Sequence, residues 1–140
     1  MFDSVLIANR GAIACRVERT LRKMGLRSVA VNSDADKGSR HVVESDLAIS
    51  LGGLRPADSY LRTELILEAA LKSGAGAIHP GYGFLSENAD FAEACEKSGI
   101  VFIGPSPEQM RAFGLKHKAR ELAKTCNVPL TPGSALLSGI

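Results

Sequence analysis

The sequence predicts an α/β fold, a doubly wound, Rossmann-like parallel sheet. Apolar runs of four or five residues alternate with longer amphipathic segments. The runs lack the polar alternation of a half-exposed strand, so both faces of the sheet should be covered by helices. Size agrees: 140 residues, 45% of them hydrophobic and none Trp, leave room for one full core and the beginning of a second.

The first run, Val5-Leu6-Ile7-Ala8, ends in Asn9-Arg10-Gly11, and a helical stripe of Ile13, Val17, Leu21 and Met24 follows at once. Gly25 closes that helix. Ser28-Val29-Ala30-Val31 reads as the second strand, a polar stretch leads to a short segment around His41-Val42-Val43, and Leu47-Ala48-Ile49 reads as the third strand. A helix is expected over 59–73 with Ile66, Ala69 and Ala70 inward, then a fourth strand, Ala75-Gly76-Ala77-Ile78. Phe91, Ala92 and Cys95 mark the next helix, and Ile100-Val101-Phe102-Ile103 the fifth strand. Ser106-Pro107-Glu108-Gln109 is a helix start, with Ser as N-cap, Pro first inside and Gln three residues after the cap. That helix ends near Gly114, and a second covers 116–126. The two prolines of Val128-Pro129-Leu130-Thr131-Pro132 exclude helix beyond it. The tail from Ser134 to Ile140 closes nothing.

Charge and cysteine usage narrow the function classes. Seventeen Lys and Arg against fifteen Asp and Glu leave a net +2, with signs interspersed, so nucleic acid is not the expected partner. No stretch approaches a membrane span, and Met1-Phe2-Asp3-Ser4 lacks the layout of a signal peptide, which points to the cytoplasm. Cys15, Cys95 and Cys126 are odd in number and without C-x-x-C spacing, which suggests three reduced thiols rather than a disulfide framework or a zinc site. Cys15 and Cys95 are expected on apolar helix faces.

Three stretches could carry chemistry. The turn Ala8-Asn9-Arg10-Gly11-Ala12-Ile13-Ala14 invites a dinucleotide-binding reading, with Asp34 where a ribose-binding acid would stand, but it holds one glycine of the required set. A Rossmann-like scaffold without nucleotide is the plainer account. His79-Pro80-Gly81-Tyr82-Gly83-Phe84-Leu85-Ser86-Glu87-Asn88 follows a strand of a parallel sheet, where such folds bind ligands. Gly81 and Gly83 flank Tyr82 and let backbone approach a ligand, and Ser86 or Asn88 can cap the next helix. Equally, the stretch can be a tight loop with Phe84 and Leu85 tucked into the core and His79 a satisfied core histidine. Lys116-His117-Lys118-Ala119-Arg120 opens the last helix, where a lysine can reach a phosphate or merely face solvent. Arg16, Arg19, Arg22 and Lys23 form the polar face of the first helix, a pattern of solvation or of an interface.

On Leu6-Ile7-Ala8-Asn9-Arg10-Gly11, on Ala77-Ile78 with the ten residues after them, and on Phe102-Ile103-Gly104-Pro105, the chain closely resembles the N-terminal, pre-ATP-grasp domain of biotin carboxylases. The resemblance covers nearly the whole chain. Ala12 where most members carry Glu, and Gly114-Leu115-Lys116 where most carry Gly-Asp-Lys, are similar to the urea carboxylase branch. The resemblance implies a pre-ATP-grasp domain at 1–114 and a lead-in to an ATP-grasp domain at 115–140. It implies a parent ligase that uses ATP, Mg2+ and bicarbonate to carboxylate biotin on a carrier domain, through carboxyphosphate, for a carboxyltransferase domain to pass on. By position, Lys116 is implied as an ATP-contacting lysine, Tyr82 with Gly81 and Gly83 as neighbours of the biotin ureido ring, and Arg16 and Arg19 as interface residues of a homo-oligomer. Lys23 stands where the free-standing bacterial subunit has an acid. The glycine-rich lid, metal-binding glutamates, bicarbonate-binding arginine and catalytic base of the family fall beyond position 140. The resemblance thus implies no catalytic residue and no metal ligand in these residues, which by themselves should neither cleave ATP nor carboxylate biotin. An acyl-CoA or pyruvate carboxylase with drifted signatures, a dinucleotide-binding dehydrogenase domain and a non-catalytic interaction module remain the alternatives.

Overall fold

In the computed structural model, which describes residues 2–133, five parallel strands form one sheet in the order β3-β2-β1-β4-β5. The strands are β1 (Ser4–Ile7), β2 (Arg27–Asn32), β3 (Leu47–Ser50), β4 (Ala77–His79) and β5 (Val101–Phe102). The helices are α1 (Gly11–Lys23), α2 (Arg40–Glu44), α3 (Thr63–Ser73), α4 (Ala89–Lys97), α5 (Pro107–Phe113) and α6 (Lys116–Thr125). β1 is the pivot. It pairs with β2 in the register Leu6 to Val29 and with β4 in the register Leu6 to Ile78.

Alternation along the strands sends residues to two different cores. Leu6, Ala8, Val29, Val31, Ile78 and Phe102 face the larger one, closed by Ile66, Ala69 and Ala70 of α3, Phe91, Ala92 and Cys95 of α4, and Met110 of α5. Val5, Ile7 and Ala77 face a smaller one, closed by Ala14, Val17 and Leu21 of α1. The doubly wound expectation holds, with helices on both faces.

Several local expectations change. The helix expected over 59–73 begins at Thr63, because Ser59 and Tyr60 are pulled fully inward in a turn after Pro56–Asp58. His41-Val42-Val43 belongs to α2, and His41 is its one buried residue. Met24 lies 65% exposed rather than on the apolar face, since α1 has ended and its backbone N–H caps the last turn. β3 is an edge strand with no fully buried residue, so its apolar run does not report coverage of both sides. β4 and β5 are shorter than expected, at three and two residues. The Ser106 start is borne out in full: its hydroxyl accepts from Gln109 N–H and the Gln109 side chain accepts from Ser106 N–H. The tail 134–140 lies outside the described residues.

Candidate functional site

Strand order reverses at β1 and β4, the position where loops from neighbouring strands diverge and open α/β sheets hold ligands. Asn9, directly after β1, spans that divergence. Its side-chain amide donates to Pro80 O at 2.9 Å and to Tyr82 O at 2.7 Å, while its Oδ1 accepts from Arg10 N–H. Ala8 N–H reaches His79 O at 2.9 Å, extending the ladder beyond the strands. Gly81, at φ +67°, could carry no side chain here, since a Cβ would stand 2.7 Å from the Asn9 amide nitrogen. The loop is therefore a fitted part rather than a slack connection. It presents Tyr82 at 69% exposure, with Gly83 at φ +62° behind it.

The rest of the loop is anchored inward. Leu85 is buried, and the Phe84 ring stacks on Tyr60 with centroids 5.2 Å apart. The Arg10 guanidinium lies 5.5 Å from the Tyr60 ring and 5.8 Å from Phe84, and donates to Asp36 Oδ2 at 3.1 Å. Tyr60 hydroxyl and Ser33 hydroxyl donate to the same oxygen. Burial would raise the Asp36 carboxyl, but these three donors hold it below its ordinary value. Tyr60 is pushed up to about 12, by burial first and then by Asp36. The cluster is a fixed ionic bracket under the loop. Asn88 rather than Ser86 caps α4, its Oδ1 accepting from Phe91 N–H.

The turn after β1 is occupied by the protein's own groups. Gly11 N–H donates to His41 Nδ1 at 3.4 Å, and His41 Nε2 lies 3.3 Å from Val31 O, so the ring bridges the start of α1 to β2. Burial lowers the pKa of His41, which keeps it neutral for that role. An N–H that a dinucleotide phosphate would need is thus already engaged. His79 is half-buried rather than a closed core residue; burial lowers its pKa, and its Nδ1 accepts from Gly81 N–H at 3.0 Å.

Lys116 sits at the start of α6, exposed, in a cleft shared with Ser86 and Glu87 from the end of the loop and with Gln109, Met110 and Phe113 of α5. Arg16 and Arg19 lie apart from both, lining a basic hollow along α1 with Thr20, Arg22 and Lys23. Cys95 is inert in the large core, its thiol pushed up to about 12 by burial. Cys15 departs from expectation: though buried, it faces the carboxyl groups of Glu18 and Glu44 rather than an apolar surface. Asn9, Arg10, Asp36 and Tyr60 join the site without a sequence motif that assigns them a role. A polar residue directly after a fully buried strand was the available signal for Asn9; nothing local marks the others, which meet only in the fold.

The described residues hold no helix long and apolar enough to cross a membrane. The family model for the biotin carboxylase N-terminal domain matches residues 1–110. Urea amidolyase of Saccharomyces cerevisiae is 54% identical over 140 residues, all of this chain and 8% of the relative. Biotin carboxylase of Halalkalibacterium halodurans is 53% identical over 134 residues, 96% of this chain and 30% of the relative. The crystal structure of the K. lactis urea amidolyase superposes with a TM-score of 0.91 at 55% identity, over 94% of this chain and 8% of that one. The chain thus spans a small part of the proteins it matches. A parallel sheet with its switch-point loop locked by Asn9, and a family match over 110 of its residues, lead to one conclusion: the chain belongs to the biotin carboxylase N-terminal domain family.

Proposed function

We propose that this domain forms one wall of the active site of an ATP-dependent, biotin-dependent carboxylase of the urea carboxylase branch, in the cytoplasm. The observation that carries the reading is the Asn9 tether, which fixes the exposed Tyr82 between two left-handed glycines at the switch point. An exposed aromatic ring carried on a tethered backbone, beside open glycines, suits a flat, polar ring such as the biotin ureido group. Lys116 is assigned to the ATP phosphates: its ammonium stands on the first residue of a ten-residue helix, where anions are favoured. ATP supplies the activated phosphoryl group for bicarbonate; the residues here bind and orient. Glu87 alone lines the Lys116 cleft with a carboxylate, so Mg2+ is assigned no ligand in this chain. α6 has no buried residue, in keeping with a division near residue 114 and a second domain from 115 onward. That domain, the carrier and the carboxyltransferase are the proposed partners, with Arg16 and Arg19 at an interface.

The urea branch rests on Ala12 and on Gly114-Leu115-Lys116, and an acyl-CoA or pyruvate carboxylase is the second reading. Bicarbonate-dependent ATP cleavage in the carboxylase that carries this domain tests the assignment. Tyr82→Ala should raise KM for biotin at least about tenfold, the effect of losing ~1.4 kcal/mol, with KM for ATP unchanged. Lys116→Ala should lower kcat/KM for ATP. Unchanged constants for either variant would remove that residue from the site. The 140-residue chain alone should show no biotin-dependent ATP cleavage.

A further inference from the structure

Cys15 and Glu18 share one side of α1, three residues apart, and Glu44 closes over them from the last residue of α2. One ligand atom from each lies within 4.8 Å of the other two. Glu18 is 1% exposed and Cys15 8%, yet among the described residues neither oxygen of the Glu18 carboxyl has a hydrogen-bond partner. A buried carboxyl with two orphaned oxygens beside a thiol and a second carboxyl costs several kcal/mol unless something positive or a proton meets it.

Of the charged groups around the cluster, Arg40 pairs with its outermost member and the others are engaged outside it. Arg22 donates to the Glu44 backbone carbonyl at 2.8 Å. Arg40 pairs with Glu44 Oε1 at 2.6 Å, from the solvent side. Asp46 is occupied by Ser28, whose N–H and hydroxyl both donate to it at 2.8 Å. No cation of the described residues reaches the Glu18 oxygens.

We propose that Cys15, Glu18 and Glu44 form a binding site for a thiophilic divalent cation of the zinc class, clamping α1 to α2. A sulfur ligand selects against Mg2+ and Ca2+. Three protein ligands leave the fourth tetrahedral position to a water, for which Glu44, with its side chain 28% exposed, provides the open edge. Zinc–ligand distances of about 2.0–2.3 Å place neighbouring ligands about 3.3–3.7 Å apart, so atoms that already lie within 4.8 Å of one another need move no more than about 1.5 Å on loading, within reach of side-chain torsions. Cation binding expels the thiol proton of Cys15 and any proton held by the carboxyls. The site is separate from the Tyr82 loop and the Lys116 cleft, and does not depend on the carboxylase reading.

The test uses the purified protein with the exposed Cys126 changed to Ser, in a non-thiol reductant, titrated with Co2+ and then Zn2+. A thiolate-to-cobalt charge-transfer band saturating at one equivalent and displaced by Zn2+ is expected, together with a rise in Tm on adding Zn2+. Cys15→Ser should abolish the band, and Glu18→Gln and Glu44→Gln should each weaken Co2+ binding at least tenfold. Glu44, being partly exposed, keeps the test decisive if Cys15→Ser disturbs folding. Absence of the band, its survival in Cys15→Ser, or an equal Zn2+ shift in Glu18→Gln overturns the site. A higher Tm for Glu18→Gln with no metal binding in the parent would mean that Glu18 carries only a proton, which also overturns it.

Discussion

The two faces of the sheet are built to different standards. Toward α3, α4 and α5 the core is large, apolar and closed, with Ile66, Phe91 and Ile78 fully buried and the Phe91 and Phe102 rings meeting edge to face at 5.9 Å. Toward α1 the apolar cluster is small, and a groove between Phe2, Val17, Leu21, Leu26 and Ile103 leaves it open at one side. Beside it the same face holds Cys15, Glu18 and His41, polar groups at positions that elsewhere would be aliphatic. One face holds the closed apolar core, and the other holds the open groove and the sealed Cys15 and Glu18.

Residues of equal size should expose the contrast most strongly. Ile66→Ala should cost about 4 kcal/mol, because a sealed core cannot collapse around the void, whereas Leu21→Ala should cost about 2, since the groove already lets neighbours and water adjust. Urea denaturation midpoints at constant m-value measure both; equal losses would mean that the groove is closed in solution.

Glu18 sharpens the same comparison through pH. Its folded-state pKa is raised to about 7, by burial first and then by Glu44 and Asp46, against the lowering effect of Arg22. The ordinary value of 4.5 belongs to the unfolded chain. The folded state thus keeps a proton that the unfolded chain releases, so stability is full below pH 4.5 and is lost as the pH rises toward 7. The loss amounts to about 3 kcal/mol. In the presence of a chelator, Glu18→Leu should therefore raise stability at pH 8 and have little effect at pH 4. A gain equal at both pH values would mean that packing, not ionisation, separates the two faces.

Smaller effects mark the edges of the closed face. Asn9→Ala removes two hydrogen bonds to the Tyr82 loop and should cost about 1–2 kcal/mol; in a carboxylase of the proposed kind it should also raise KM for biotin more than KM for ATP. Ser106→Ala should cost about 1 kcal/mol through the lost cap of α5, detectable as a lower thermal midpoint with no change in any kinetic constant.

Much of this architecture was legible in order of residues alone. Apolar runs around Leu6, Val29, Ile49, Ile78 and Phe102 locate all five strands, and Ser106-Pro107 with Gln109 marks a helix start to the residue, because caps and periodicity are local chemistry. Glu18 also left a trace: it interrupts the stripe of Ala14, Val17 and Leu21. Its burial, the turn that holds Tyr60 out of α3, and the Asn9 tether were not readable. Each depends on groups 24 to 73 residues away in the chain, at Asp36, Pro80, Tyr82 and Glu44.

The sequence by itself determined the class of fold, the succession of elements and the loop whose residues identify the family. Those properties follow from side-chain period and backbone preference, which act over a few residues. The tertiary structure alone decided which polar groups are sealed in, what they face and how rigidly Tyr82 is presented. Desolvation and hydrogen-bond pairing are set by whatever the folded chain brings alongside, and no local pattern of residues specifies that.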